Sequence, residues 1–235
     1  MQPDKRIQSI DALRGLAVVL MVVHHFLFDL CAYLDAPARL FTNPLFDTLH
    51  LIFATLFILL SGVCSRFSRS NIRRGIIVYA IAFCISVVTG LVDMPDRFGV
   101  LHLLGTCMLF YGITHRIWES APDVIMPLLC AGLIALSLIA VKYLPLPGKY
   151  CWMFGWIDDD FFSSDFFPIF PWLFVFLLGT WLGKYIKDRR FPDRFYSFTV
   201  PVLPWVGRKA LTIYIIHQPV LLGITMLIGK IISNR

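Results

Sequence analysis

The chain reads as an all-α, polytopic membrane protein, a bundle of about seven transmembrane helices with a cytoplasmic N-terminus. Three observations predict this. Of 235 residues, 58% are hydrophobic and 15% charged, with mean hydropathy +0.75, whereas a soluble domain carries roughly a quarter of its residues as charges. Apolar runs of spanning length recur along the whole chain. The basic residues bunch between those runs, as topology determinants do. The net charge of +6 therefore concerns orientation, and no nucleic-acid partner is expected.

The runs cover residues 8–33, 46–65, 74–93, 99–117, 123–144, 168–187 and 208–232. Lys5 and Arg6 precede the first, as in a secretory signal. Arg14, His25 and Asp29 inside it do not suit a signal's apolar core, so it reads as an uncleaved first span. The longest loop, 145–167, joins the fifth and sixth spans and carries Asp158, Asp159, Asp160 and Asp165 among many aromatics. Such a loop could hold a sugar or polar headgroup against its aromatic faces. It reads more readily as an interfacial aromatic belt with solvated acids. The apolar stretch Phe195–Trp205 contains Pro201 and Pro204, which argue for an interfacial or re-entrant piece.

Basic residues set the orientation. Of the 21, Arg14 lies within a span and fourteen share the side of the N-terminus: Lys5, Arg6, Arg66, Arg69, Arg73, Arg74, Arg116, Lys184, Lys187, Arg189, Arg190, Arg194, Arg208 and Lys209. Six fall opposite: Arg39, Arg97, Lys142, Lys149, Lys230 and Arg235. The excess favours N-in and C-out. No internal repeat stands out, and residues 1–235 read as a single transmembrane domain. The six cysteines are scattered singly, as small hydrophobes rather than a disulfide framework or zinc site.

The first span is the most informative. On a helix turning about 100° per residue, Asp11 and Asp29 superimpose and Arg14 and His25 lie about 20° apart. These four form one polar stripe about 27 Å long, nearly the depth of a hydrocarbon core, while His24 points away. Ionisable groups are costly there and are usually functional. His50 near the outer end of the second span, His102 at the start of the fourth and His217 beside Gln218 in the last add one histidine each on three more helices. A histidine held by a carboxylate is the usual base for activating a hydroxyl or amine. Each histidine could instead merely bond a neighbouring helix, and Asp11–Arg14 could be an ion pair anchoring the helix end. The cluster Arg66, Arg69, Arg73 and Arg74 could receive a phosphorylated cytosolic donor through bidentate arginine forks, or serve only as a positive-inside signal.

Several blocks carry a resemblance. They are Arg6-Ile7-Gln8-Ser9-Ile10-Asp11-Ala12-Leu13-Arg14-Gly15-Leu16-Ala17-Val18 with Met21, then Leu56-Phe57-Ile58-Leu59-Leu60-Ser61-Gly62 and Phe98-Gly99-Val100-Leu101-His102. Pro171-Trp172-Leu173-Phe174 with Leu178-Gly179, and Gly207-Arg208 through Ile213-Tyr214-Ile215-Ile216-His217-Gln218-Pro219, complete the set. Together they resemble the heparan-α-glucosaminide N-acetyltransferase catalytic-domain family, within the transmembrane acyltransferases, as a small bacterial-type member. The DxxRG opening is shared with acyltransferases that modify bacterial envelope sugars, and His25 matches their first-helix histidine. In the heparan branch that position is asparagine and the histidine follows in the next loop; here that loop has none before His50.

The resemblance implies an integral protein of the bacterial inner membrane that takes an acetyl or other acyl group from cytosolic acyl-CoA, with no metal. It would deliver the group to an amine or hydroxyl of a sugar or glycolipid acceptor on the far side, with a homodimer as a possible assembly. In that scheme His25 is the base, oriented by Asp29 or Asp11, and His50 and His102 face the acceptor. Arg14, the cluster Arg66, Arg69, Arg73 and Arg74, and His217 with Gln218 are the donor-side candidates. Two other readings remain: a small sugar or lipid transporter using the polar stripe as its pathway, and a heme-binding electron carrier with histidine axial ligands.

Overall fold

A computed structural model describes residues 7–91 and 95–233. Lys5, Arg6 and Arg235, which enter the charge count, lie outside the described residues, as does the Arg6 that opens the first motif.

The described chain is helical throughout. Its elements are α1 (Gln8–Tyr33), α2 (Pro44–Ser65), α3 (Asn71–Leu91), α4 (Val100–Ser120), α5 (Ile125–Tyr143), α6 (Gly148–Cys151), α7 (Ile169–Lys187), α8 (Asp193–Ser197), α9 (Leu203–Arg208) and α10 (Ala210–Ser233). The seven long helices coincide with the seven apolar runs within a few residues at each end. Six of them, all but α4, are both long and apolar enough to cross a membrane. Helix α4 has the length but is more polar, carrying His102, Thr106, His115 and Arg116. Among the described residues the sole β pairing is an isolated bridge between Phe98 and Phe166.

Large apolar side chains cover the outside of these helices: Ile76, Phe83 and Val88 on α3, Leu128, Leu136 and Ile139 on α5, Met226, Leu227 and Ile231 on α10. Asp11, Asp29, Ser61, His102, Thr180 and His217 are buried instead. Lipid favours that arrangement, since the backbone is satisfied within each helix and polar side chains find partners more readily inside the bundle than against hydrocarbon. This is an integral membrane bundle.

The chain forms two compact units, one from 1–60 with 191–235 and one from 61–190. In the first, α1 packs on α9 and α10. Phe195–Trp205 proves to be two short helices, α8 and the start of α9, with Pro204 inside the first turn of α9. Glycine makes the α1–α9 contact possible. A Cβ on Gly15 would lie 2.1 Å from the carbonyl oxygen of Leu203, and one on Gly207 would lie 1.8 Å from that of Asp11. The two backbones touch, so any side chain at either position forces them apart.

In the second unit α3 packs on α4 and α5 on α7. The same device recurs where Gly62, late in α2, faces the backbone of Phe176 in α7, with a built Cβ 2.1 Å from the Phe176 oxygen.

Gly207→Ala should lower thermal stability in detergent by about 1–3 kcal/mol or more, the usual range for overpacking. Gly132→Ala, where an added Cβ meets nothing within 4 Å, should be neutral or stabilising by up to about 1 kcal/mol. Equal melting shifts in the two variants would contradict the close α1–α9 approach.

Candidate active site

The histidines of the first unit gather near the C-terminal half of α1. His25 Nδ1 lies 3.3 Å from His217 Nε2 on α10, with the rings 4.9 Å apart and tilted by 30°. His24, on the other side of α1, meets the His50 ring of α2 at 4.4 Å and Phe41 at 4.8 Å, and Asp47 lies close enough to act on it electrostatically. One turn beyond His25, the fully buried Asp29 accepts a hydrogen bond from Gln218 Nε2 at 2.9 Å. Neighbours His217 and Gln218 on α10 thus serve His25 and Asp29, which are one turn apart on α1.

Asp11 and Arg14 pair with each other at 3.7 Å, Asp11 buried and Arg14 partly so. They stand at the other end of the stripe. Fourteen residues of helix rise place Asp11 about 21 Å from His25, too far to orient it, and Asp29 is held by Gln218. The side chain that meets His25 is His217, a donor-side candidate in the sequence. The direct ring contact of His25 with His217 also leaves no gap for a porphyrin between them.

The second unit holds a polar cavity of about 470 Å³ at the junction of α2, α3, α4 and α7. Arg66 forms its wall, donating to Tyr111 Oη at 2.8 Å and to Glu119 Oε1. Tyr111 in turn donates to Glu119 at 3.2 Å. Arg69, Lys184 and Lys187 also line it, with His115 and the first residues of α3. Lys184 is bound to Asp123, whereas Arg69 and Lys187 are exposed. Of the four arginines in the cluster, Arg66 and Arg69 line the cavity and Arg73 and Arg74 do not. Lys184 and Lys187 read in sequence only as topology determinants. Their three-residue spacing on the last turn of α7 was the available signal, but nothing local ties it to Arg66.

A polar α1 stripe partnered by α10, with Gly15 locked against α9, gives the DxxRG opening a definite structural setting. The heparan-alpha-glucosaminide N-acetyltransferase catalytic family model matches residues 6–219. The chain belongs to this family. Neither curated proteins nor solved structures give a match. Membership makes this a protein of a membrane acetyltransferase family, and the match takes in both units and every candidate residue named above.

In this acetyltransferase-family chain His102 occupies a third polar site, at the N-terminal end of α4. Ser86 Oγ donates to the carbonyl of Asp96 and lies 3.4 Å from His102 Nε2, so it accepts from that nitrogen. His102 Nδ1 is then a buried acceptor with no partner among the described residues. Phe98 stacks on the ring at 5.5 Å. Asp165 Oδ2 accepts the Val100 N–H at 3.0 Å, which caps α4, and Asp158 accepts the Gly148 N–H at 3.0 Å. Two of the four loop acids are thus engaged in ordering the loop, while Asp159 and Asp160 are exposed. Among the described residues no group of three or more His, Cys, Asp or Glu is placed to hold a metal.

Asp96 and Asp165 both press on Gly99, where a built Cβ would lie 2.5 Å from Asp165 Oδ2 and 2.8 Å from Asp96 Oδ1. Burial, then the Asp165 carboxylate, pushes the Asp96 carboxyl from 3.8 up to about 7, against a Gly99 backbone hydrogen bond that favours its charged form. Unfolded, the group releases its proton near 3.8. Between those values the folded state binds more protons, so stability falls as pH rises from about 4 to about 7. Melting curves across that window should show the loss in the wild type and a smaller one in Asp96→Asn. A wild-type curve no steeper than the variant's would refute the raised Asp96 carboxyl.

Proposed function

We propose that the protein transfers an acetyl or related acyl group from cytosolic acyl-CoA to a hydroxyl or amine of a sugar-type acceptor on the far side of a bacterial inner membrane. The observation that supports this most is the family match together with His25 on the first helix, held by a second histidine. His25 takes the proton from the acceptor as its oxygen or nitrogen attacks the thioester carbonyl. The new C–O or C–N bond forms, the C–S bond breaks, and the CoA thiolate leaves with the proton that His25 carried. In the alternative, acyl-histidine route, His25 attacks the thioester itself: a C–N bond to His25 forms as the C–S bond breaks and the CoA thiol leaves, and that C–N bond breaks when the acceptor takes the acyl group.

Two places suit the phosphates of the donor. Arg14 stands eleven residues from His25, about 16 Å of helix rise, and the extended pantetheine arm of CoA is built to bridge such a gap. The polar cavity of the second unit carries Arg69 and Lys187 as exposed cations in its lining, and arginine is suited to bidentate phosphate contacts. His50 and His102 remain the acceptor-side candidates.

Purified protein in nanodiscs, given labelled acetyl-CoA and a panel of amino- and hydroxy-sugars, should release CoA and label an acceptor. His25→Ala should reduce kcat by about 10²–10⁴-fold, the usual contribution of a general base. Full activity in that variant would sink the assignment. Replacing Arg69 and Lys187 by alanine should raise KM for acetyl-CoA at least ~10-fold through loss of charged hydrogen bonds, with kcat little changed. If Arg14→Ala alone gives that result, the donor phosphates belong at the α1 end instead.

A further inference from the structure

We propose that His217 is a positioning residue that fixes which nitrogen of His25 is basic, a proposal resting on the reading of His25 as general base. His217 Nδ1 lies 2.6 Å from the carbonyl oxygen of Tyr214, one turn back on α10. A carbonyl only accepts, so the hydrogen is on His217 Nδ1. A neutral imidazole has one N–H, which leaves His217 Nε2 as an acceptor. His25 Nδ1 faces that Nε2 at 3.3 Å, so the hydrogen between the rings belongs to His25 Nδ1. His25 Nε2 is then the nitrogen with the free lone pair, and it makes no hydrogen bond among the described residues.

The result is a relay of carbonyl, imidazole and imidazole that ends in a basic nitrogen aimed away from α10. Serine hydrolases reach the same end with a carboxylate, which holds the catalytic imidazole in one tautomer through its Nδ1–H. Here a neutral ring does the holding, which avoids an unpaired charge in an apolar layer where charge is costly. Asp29, the nearest acid along α1, takes Gln218 on one oxygen, and its other oxygen makes no hydrogen bond among the described residues, so it does not hold His25 Nδ1. When His25 Nε2 accepts the proton of the attacking hydroxyl or amine, the imidazolium keeps its Nδ1–H on His217 Nε2. The Nε2 proton then goes to the CoA thiolate. His217 gains and loses nothing in the cycle.

The test is ¹⁵N NMR of full-length protein labelled at its histidines in nanodiscs, with His25 signals assigned by their loss in His25→Asn. The wild type should show His25 as the Nδ1–H tautomer. In His217→Phe, which keeps a ring but has no acceptor, the signal should become a mixture of tautomers. His217→Gln, whose side-chain oxygen can accept in place of Nε2, should restore Nδ1–H. Transfer kinetics should follow: kcat down at least ~10-fold in His217→Phe with KM for acetyl-CoA within about two-fold, and most of kcat regained in His217→Gln, since a wrong tautomer impairs a base without weakening donor binding. An Nε2–H tautomer in the wild type overturns the proposal even if His217→Phe fails to fold. So does a tautomer unchanged in His217→Phe. The expected tautomers combined with full transfer by His25→Ala would instead overturn the base assignment on which the proposal stands.

Discussion

A polar side chain carried through an apolar layer must find its partner on another helix, and much of the first unit follows from that constraint. The helix α1 brings a histidine and an acid one turn apart, and α10 meets them with adjacent residues, His217 on His25 and Gln218 on Asp29. Two bonds between the same pair of helices fix the register of one against the other. A slide by a single residue along α10 would leave both α1 groups unpartnered in a medium that supplies no water.

The DxxRG opening combines two separable jobs. Gly15 and the Asp11 carbonyl are the points where α1 touches α9, with Gly207 on the facing helix. Asp11 and Arg14 are the polar pair that this turn displays. Because the Asp11 backbone is pressed against Gly207, the carboxylate rests on a backbone contact and not on a mobile side-chain surface. A substitution at Gly15 or Gly207 would thus move the charge pair without changing a charge. Activity lost in such a variant reports packing first, and chemistry only through it.

How much of this was legible in the sequence depended on range. The seven long helices follow from apolar runs, because a lipid-crossing helix writes its length directly into hydropathy. The α1 stripe follows from the 3.6-residue period, which also separated His25 from His24 correctly as to direction: they meet different helices. Which element each would meet could not be read. His217 paired with His25 across 192 positions, and Arg66 with Glu119 across 53, and no local pattern encodes either. That His25 meets the His217 ring was hidden for the same reason, since periodicity aligns residues along one helix but is silent about the helix opposite. The loop 145–167 posed the reverse problem: its acids read as solvated or as ligand contacts, whereas Asp158 and Asp165 accept backbone N–H groups within their own unit.

The basic cluster after α2 brings two explanations together, topology and binding, and their demands differ. A positive-inside signal needs only charge near a helix end. It has no use for a brace, and bracing a long cation costs side-chain entropy. Here Arg66 is braced by Tyr111 and Glu119, and Lys184 by Asp123. Those contacts turn two cations into the walls of a cavity and leave Arg69 and Lys187 at its surface. Charge that served orientation alone would gain nothing from such order. The division into braced and open cations suits the anionic donor proposed for this cavity: rigid walls to hold a shape, and exposed cations at its surface.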